Sequence, residues 1–321
     1  MLFLHIVRDN EIKQKERKKD MEKIARETFK QVFTEMVGAK LQVERKQISK
    51  LDGVHDALSA VPSADAMCAM PVLDLDAVYE QYCKSQTVTI PELVESAVAE
   101  LQKTPDLSLG WITDWAKAKD RLILSVCNMD RQGYLANLVY ETVGEIALVP
   151  KILLPSADCP SEGCYASAPV NRQLLGAYGI SKEELMQQAK ESAMKLLPYY
   201  LTTMEDVLAN IGMPGGLIAP TPGKDEGNKL YILTTRQKWN GAATLFYPGV
   251  MEQLHEQFGD YFIIPSSVHE VILKKKMPED KKGFVSSMGE IIMDINENEV
   301  APEERLSDVL YTYDAYGFHR A

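Results

Sequence analysis

Two serines, a histidine and a glutamate lie within five positions of an otherwise apolar segment, and these residue types could carry out hydrolysis. They are Ser266, Ser267, His269 and Glu270 in the stretch IPSSVHEVIL, residues 264–273. A histidine beside a serine can act as the general base that activates the hydroxyl, and a carboxylate can orient the imidazole. This stretch is therefore the first candidate for a catalytic site.

The surrounding sequence lacks residues that two known catalytic motifs require, one of zinc proteases and one of serine hydrolases. A zinc-binding HExxH helix needs a second histidine four residues after His269, and that position is Leu273. The chain also lacks the G-x-S-x-G sequence that presents a nucleophilic serine in many hydrolases. In a regular strand His269 and Glu270 would point to opposite faces of the sheet. In a hydrolase, the fold would have to bring an acid such as Glu270 or Asp314 next to His269 to orient its imidazole. We favour a strand entered through a Pro-Ser-Ser turn, with His269 bonded to backbone or a neighbouring side chain.

Two of the five cysteines form a weak candidate for a metal site. Cys159 and Cys164 lie in the loop-like stretch PSADCPSEGC. Structural zinc needs about four ligands, and no second pair of cysteines or histidines has a suitable spacing. The sequence also lacks a Walker A motif and a dinucleotide-binding fingerprint. We therefore predict neither a metal nor a cofactor.

The composition narrows the class of protein. The chain has 321 residues, 45% of them hydrophobic and 25% charged, with a net charge of -11. No stretch approaches the roughly 18 consecutive apolar residues of a membrane span, and the apolar start is too short for a secretory signal. We expect a cytoplasmic protein. The net charge argues against nucleic acid as a partner of the whole molecule, although residues 1–30 carry nine Lys and Arg against six Asp and Glu.

The elements that must position these residues are helices and strands in mixed order. Apolar residues at helical spacing predict an amphipathic helix over 21–37. Capping boxes at Thr89 and Ser181, each with glutamate three residues later, predict the starts of two further helices. Apolar runs at 122–126 and 144–155 predict buried strands. The fold class that follows is α+β, with helices and a central sheet.

The C-terminal part is predicted to begin after a loop rich in glycine and proline, residues 212–228. Two strands, KLYILTT and AATLFY, would form a hairpin through Asn240-Gly241. The helix VMEQLHEQF and the strands YFII and VHEVILKK follow, which gives a strand-strand-helix-strand-strand unit. The predicted domains are a basic extension at 1–20, an α+β region at 21–211, the junction at 212–228 and the C-terminal unit at 229–321.

Four stretches resemble an uncharacterised bacterial family, a domain of unknown function common in gut clostridia. They are DAVYEQYCKSQTVTIPELVESAVAEL, LLGAYGISKEELMQQAKESAMKLLP, GAATLFYPGVMEQLHEQFGDYFIIPSSVHEVI and VAPEERLSDVLYTYD. The resemblance runs from about Leu75 to Tyr313, and its third stretch is the most specific. Because the family has no known activity, the resemblance implies no ligand and no site residue.

The leading functional prediction is a cytoplasmic, non-enzymatic protein-binding or regulatory module, because the recognisable motifs are structural signals. Its expected partner is another protein, and no membrane contact is predicted. One alternative is a hydrolase centred on Ser266, Ser267 and His269. The other is a nucleic-acid-associated protein that uses the basic arm at 13–30.

Overall fold

The computed structural model describes residues 24–50, 53–61, 71–85, 87–102, 110–154, 166–210, 229–278, 280 and 282–321. The predicted extension at 1–20, the junction at 212–228 and the Cys159–Cys164 pair lie outside these ranges. The domain division that depends on that junction stays a prediction. By its internal contacts the chain divides into a first unit, Met1–Ile48 with His55–Pro105, and a second unit, Ser49–Val54 with Asp106–Ala321.

Among its described residues, the first unit combines three helices with a small sheet. Its elements are α1 (Arg26–Gly38), β1 (Val43–Lys50), β2 (Gly53–Ala60), β3 (Val72–Asp74), α2 (Leu75–Lys84) and α3 (Ile90–Leu101). The strand order is β1-β2-β3, and β2 pairs antiparallel with β3. Phe29, Phe33 and Val37 recur every four residues along α1, so they share one face and lie in the core of this unit.

A four-stranded antiparallel sheet forms the first part of the second unit. Its strands are β4 (Leu122–Asn128), β5 (Glu141–Val143), β6 (Ile146–Leu154) and β7 (Ala166–Pro169), and the helices are α4 (Trp115–Ala118), α5 (Gln132–Leu135), α6 (Arg172–Tyr178) and α7 (Lys182–Leu196). Strand β6 pairs with each of the other three strands. The apolar face of α7, with Leu185, Ala189 and Ala193, is buried as its sequence spacing predicts.

A six-stranded antiparallel sheet completes the second unit. Its elements are β8 (Tyr199–Thr203), α8 (Met204–Asn210), β9 (Leu230–Thr235), α9 (Val250–Phe258), β10 (Tyr261–Ser267), β11 (Glu270–Lys275), α10 (Lys282–Asn298), β12 (Tyr311–Asp314) and β13 (Gly317–Arg320). The strand order is β13-β12-β10-β11-β9-β8. Side chains of β10 alternate between two faces. Tyr261 and Ile263 enter the main core, and Phe262 packs with Ile292 of α10.

The α+β fold class is confirmed, and the arrangement of the C-terminal strands is consistent with the prediction. One segment differs. The predicted strand AATLFY belongs to a 3-10 helix, Gly241–Phe246, whose six residues are all buried. Continuous burial in the core explains the difference, because an apolar run of this length fits either a buried strand or a buried helical turn.

The stretch IPSSVHEVIL has its turn after Ser267, whereas the sequence predicts a turn at Pro-Ser-Ser with a strand after it. It forms a hairpin in which β10 runs on through Pro265 to Ser267, and β11 begins at Glu270. Ser266 is the extra residue of a bulge in the β10–β11 pairing. Proline is tolerated beside such a bulge, because the ladder of hydrogen bonds is already interrupted there.

Candidate functional site

The β10–β11 hairpin brings together the four residues that the sequence singles out. Ser267 and Glu270 form the last pair of the ladder, and Val268 and His269 make the turn between them. Because His269 lies in the turn and not in a strand, the alternation of strand faces does not apply to it. The four residues are close in space, and their hydrogen bonds decide what they can do.

Both nitrogens of the His269 ring face a fixed group. Nδ1 accepts a hydrogen bond of 3.1 Å from the backbone N–H of Asn240. Nε2 lies 3.4 Å from Oε1 of Glu304, in the 3-10 helix Pro302–Glu304. This arrangement fits the neutral tautomer with the proton on Nε2, because an acceptor faces Nε2 and a donor faces Nδ1. The imidazole therefore has no spare lone pair with which to take a proton from a nucleophile.

The serine hydroxyls make other contacts. Ser267 Oγ accepts the backbone N–H of His269 at 3.0 Å, which is a local turn bond. Ser266 Oγ donates to Oε1 of Glu270 at 3.5 Å. Within the described ranges, neither serine hydroxyl bonds the His269 ring. The other candidate acid, Asp314, pairs with Lys276 at 3.2 Å. A general base must reach the proton that it abstracts, and this geometry does not provide that contact.

His269 is bonded to β9 through its backbone and to Asn240 through its ring. Its carbonyl oxygen accepts the hydroxyl of Thr234 in β9 at 2.8 Å. Asn240 adopts a left-handed conformation with a φ of 56°, and its side-chain amide donates to the carbonyl of Leu124 in β4 at 2.5 Å. We call Thr234, Asn240, Gly241, His269 and Glu304 the His269 node. The hydrogen bonds of the His269 node connect the β10–β11 turn with β9 and β4.

Gly241 allows the closest approach within the His269 node. A Cβ atom at this position would lie 2.2 Å from the carbonyl oxygen of His269 and 2.6 Å from Cα of Thr234. The sequence indicates a turn here in which both Asn240 and Gly241 have positive φ, yet only Asn240 does. Space and not backbone conformation therefore requires glycine at position 241.

A network of ion pairs in the first unit was not apparent from the sequence. Lys30 of α1 is almost fully buried, and its ammonium lies 2.9 Å from Asp56 and 2.7 Å from Asp76. Arg45 reaches Asp56 at 2.8 Å, and Arg26 reaches Asp76 at 3.4 Å. The hydrogen bond from Lys30, together with one from Arg45, holds the pKa of Asp56 below its ordinary value.

Three potential ligand atoms for a cation lie within 4.8 Å of one another beside this network, on His55, Asp74 and Asp76. Each already has a partner. Asp74 accepts the N–H groups of Asp76 and Ala77 at the start of α2, and its second oxygen lies 2.8 Å from His55 Nδ1. The Lys30 ammonium lies against Asp76. A positive charge at the carboxylate opposes a second cation there, so we assign these residues to the ion-pair network.

A stripe of apolar side chains along α10 also went unrecognised in the sequence. Phe284, Met288, Ile291 and Ile295 follow one another at intervals of four, three and four residues, so they lie on one side of the helix. Phe284 and Met288 are partly buried against the sheet. Ile291 and Ile295 are 48% and 46% exposed. We call these four residues the α10 stripe, and its helical periodicity was the signal that could have revealed it.

A comparison with models of known protein families shows to which family the chain belongs. A model of a family of unknown function, DUF5688, matches residues 24–315. The chain belongs to DUF5688. The matched residues of this DUF5688 protein include the ion-pair network, the His269 node and the α10 stripe. The predicted membership of an uncharacterised family is thereby confirmed, whereas the bacterial origin stays a prediction.

No curated protein and no solved structure matches the DUF5688 chain. Within its described residues, no helix combines the length and the apolar character that crossing a bilayer requires.

Proposed function

We propose that this DUF5688 protein is a non-catalytic protein-binding module, and that its α10 stripe binds a basic amphipathic helix of another protein. The observation that carries the proposal is the exposure of Ile291 and Ile295, 48% and 46%, one turn apart on the same helix. Single exposed apolar residues are common on protein surfaces and need no explanation, whereas a continuous apolar stripe is typical of a binding surface.

The apolar side of α10 is wider than the sheet can cover. Ile292 and Asn296 point into the protein, where Ile292 packs with Phe262 and Asn296 donates to the carbonyl of Ser307 at 3.1 Å. Ile291 and Ile295 precede these two residues by one position and therefore lie on the adjacent side. The face of α10 that contains Ile292 packs against the protein, and the adjacent face, with Ile291 and Ile295, is partly exposed to solvent. A partner helix would pack its own apolar residues along that adjacent face.

The charges on α10 indicate the chemistry of the partner. After its first residue, Lys282, α10 and the residue that follows it contain four acidic residues, Glu290, Asp294, Glu297 and Glu299, and no Lys, Arg or His. Arg305 is the cation bonded to the end of the helix, and it donates to the carbonyls of Val300 and Glu297. Carboxylates near the C-terminal end of a helix are unfavourable, so cations from a partner would be stabilised there. An apolar helix flanked by Lys and Arg is complementary to this surface.

The geometry supports the two alternative functions less well. A hydrolase would need His269 to bond a serine hydroxyl, and its ring faces Asn240 and Glu304. A nucleic-acid interface on the basic arm would need free cations. Arg26 and Lys30, the two cations of the arm that the structure describes, are engaged with Asp76.

The proposal is tested with a synthetic helix of about three heptads that carries leucine on one face and lysine on its flanks. Fluorescence anisotropy of the labelled peptide would measure binding to the wild-type chain and to the double variant Ile291→Ser/Ile295→Ser. We expect saturable binding that weakens at least about tenfold in the double variant, because the centre of the apolar contact is removed.

Met293→Ser is the matched control. Met293 lies on the same helix and is 57% exposed, but it is outside the α10 stripe. This variant should bind the lysine peptide as the wild type does, and a peptide with glutamate in place of each lysine should not bind. Equal loss in Met293→Ser, or equal binding of the acidic peptide, would overturn the proposal. So would a wild-type dimer in sedimentation that the double variant abolishes, because the occupant of the stripe would then be a second copy.

A further inference from the structure

A concavity of about 440 Å³ opens on the second unit, beside β5 and the first turns of α6 and α7. Its apolar wall comes from Leu138, Val139 and Leu175. Small-molecule sites in proteins have volumes of roughly 300–1,000 Å³ and combine apolar walls with a few polar groups. The volume is therefore sufficient for a small organic molecule.

The charged residues that the structure describes at this concavity are both positive. Arg172, the first residue of α6, and Lys182, the first residue of α7, both line it. Both are exposed, and neither forms an ion pair with a residue in the described part of the chain. The neighbouring carboxylate of Glu141 is engaged by Lys190 at 2.9 Å. Two cations without a carboxylate partner among the described residues therefore line one concavity of a chain whose net charge is -11.

Hydroxyl groups add hydrogen-bonding capacity. Tyr140 and Thr142 line the same concavity. Within the described ranges their hydroxyls have no partner in the protein, so both remain available to a ligand as donors or acceptors. The guanidinium of Arg172 can bond an oxyanion through two parallel N–H groups, and the Lys182 ammonium supplies a second positive charge.

We propose that this concavity, the Arg172 pocket, binds a small phosphate monoester that carries an apolar or aromatic group. Two cations match the double negative charge of a phosphate monoester, the two hydroxyls can bond its remaining oxygens, and the apolar wall accommodates the organic group. The pocket is separate from the α10 stripe, so the two proposals stand or fall independently.

Calorimetric titration of the full chain with phenyl phosphate tests the assignment, with inorganic phosphate and phenol as partial ligands. We expect saturable binding of phenyl phosphate, weaker binding of inorganic phosphate, and no measurable binding of phenol. Arg172→Gln and Lys182→Gln should each weaken the binding of phenyl phosphate by about tenfold, because each removes one of two charge-assisted contacts. Lys195→Gln is the matched control, since Lys195 is an exposed lysine at the other end of α7.

Three results would overturn the proposal. The first is the absence of saturable binding by the wild-type chain. The second is an equal loss of binding in Lys195→Gln and Lys182→Gln, which would indicate attraction without a defined site. The third is equal affinity for phenyl phosphate and inorganic phosphate, because the apolar wall would then have no role. Thermal melting of each variant checks that its fold is unchanged.

Discussion

His269 shows how a residue type associated with catalysis can serve a fold. Its ring nitrogens bond or face Asn240 and Glu304, and its backbone groups bond Ser267 and Thr234. Sequence spacing placed two serines beside the imidazole, but it could not show that the turn directs the ring toward other segments. As expected, the ring bonds a backbone group, the Asn240 N–H, and it also faces a side chain, that of Glu304.

Replacement of His269 by alanine is expected to lower the free energy of unfolding by roughly 1–3 kcal/mol, because the Asn240 N–H loses its acceptor. Urea denaturation measures the change. His255→Ala is the control, since His255 bonds Asp260 near the surface and should cost less. A loss in His255→Ala as large as that in His269→Ala would contradict the role given to the His269 node.

Gly241 supports a second prediction at this scale. Gly241→Ala should lower the free energy of unfolding by about 1–3 kcal/mol or more, because the added methyl group overlaps backbone atoms of Thr234 and His269. Gly176→Ala is the control. Gly176 lies in α6 with open space around it, and alanine there should stabilise the helix by about 0.5–1 kcal/mol. Coincident denaturation midpoints of Gly241→Ala and the wild type would contradict the close packing.

Lys151 is half-buried as a residue, and its amine lies where burial disfavours the positive charge. It lies on β6 opposite Ile123 of β4, and within the described ranges it forms no ion pair. Burial lowers the pKa of the Lys151 amine. The folded state therefore binds this proton less readily than the unfolded state does.

Lys151→Met should accordingly raise the free energy of unfolding at neutral pH. Stability of the wild type should also rise with pH from the lowered pKa of the folded state toward about 10.4, the ordinary value in the unfolded chain. The variant should lack that rise. Lys195→Met, at an exposed position, is the control. A less stable Lys151→Met variant would show that the amine has a required partner.

At the scale of elements, capping signals and long amphipathic patterns were sufficient to predict several helices. Thr89 and Ser181 form the capping boxes that their sequences indicate, because a capping box depends on residues only three positions apart. The stretch 242–247 was predicted as the second strand of a hairpin because it follows Asn240-Gly241, a pair typical of tight turns. Its helical form depends on the tertiary packing of Gly241 against Thr234 of β9 and against the turn at His269, which local sequence does not reveal.

The helix α10 shows a different limit. Two glycines and two serines lower its intrinsic helical propensity, and its sequence has no clear capping signal. The sequence shows the helical spacing of the four residues of the α10 stripe. It does not show that Ile291 and Ile295 are exposed, because their exposure depends on how much of the helix the sheet covers. The α10 stripe therefore required the structure.

The ion-pair network joins four elements of the first unit, α1, β1, β2 and α2, and should make that unit sensitive to acid. The pKa of Asp56 is lowered in the fold, so its contribution to stability is present above the ordinary carboxylate pKa and is lost as pH falls through the lowered value. Urea denaturation between about pH 6 and pH 3 should show this loss in the wild type. Asp56→Asn should be less stable at the upper end of this range and should lose less stability on acidification.

Glu44→Gln is the control for acid sensitivity, because Glu44 is exposed on β1 and forms no ion pair within the described residues. Its pH profile should follow that of the wild type. Parallel profiles for Asp56→Asn and the wild type would show that the carboxylate of Asp56 does not contribute in the expected way.

At the scale of the whole molecule, the net charge of -11 has a direct consequence. Carboxylates outnumber cations, and their mutual repulsion opposes the compact state. Raising NaCl from about 0.05 M to 0.5 M shortens the screening length and should raise the melting temperature. Trehalose at equal osmolality is the control for effects that do not depend on charge. A melting temperature that falls with salt would show that screened ion pairs outweigh the repulsion.

Composition and element order were sufficient to predict the α+β class, because the class depends on summed patterns and not on any single contact. The pairing of strands was harder to predict. Strand β10 lies between β11 and β12, and β12 follows a helix that the sequence had not revealed. The positions of the Arg172 pocket and the ion-pair network depend on such long-range pairings, so neither could be located from spacing along the chain.

The bond between the Asn240 amide and the Leu124 carbonyl joins positions 116 residues apart. Contacts between distant positions need a long loop to close before they form, so they tend to appear late in folding. Asn240 should therefore contribute little to the folding transition state. Loss of its side chain would accelerate unfolding while leaving the rate of folding nearly unchanged, so that this one amide would act mainly on the lifetime of the native state.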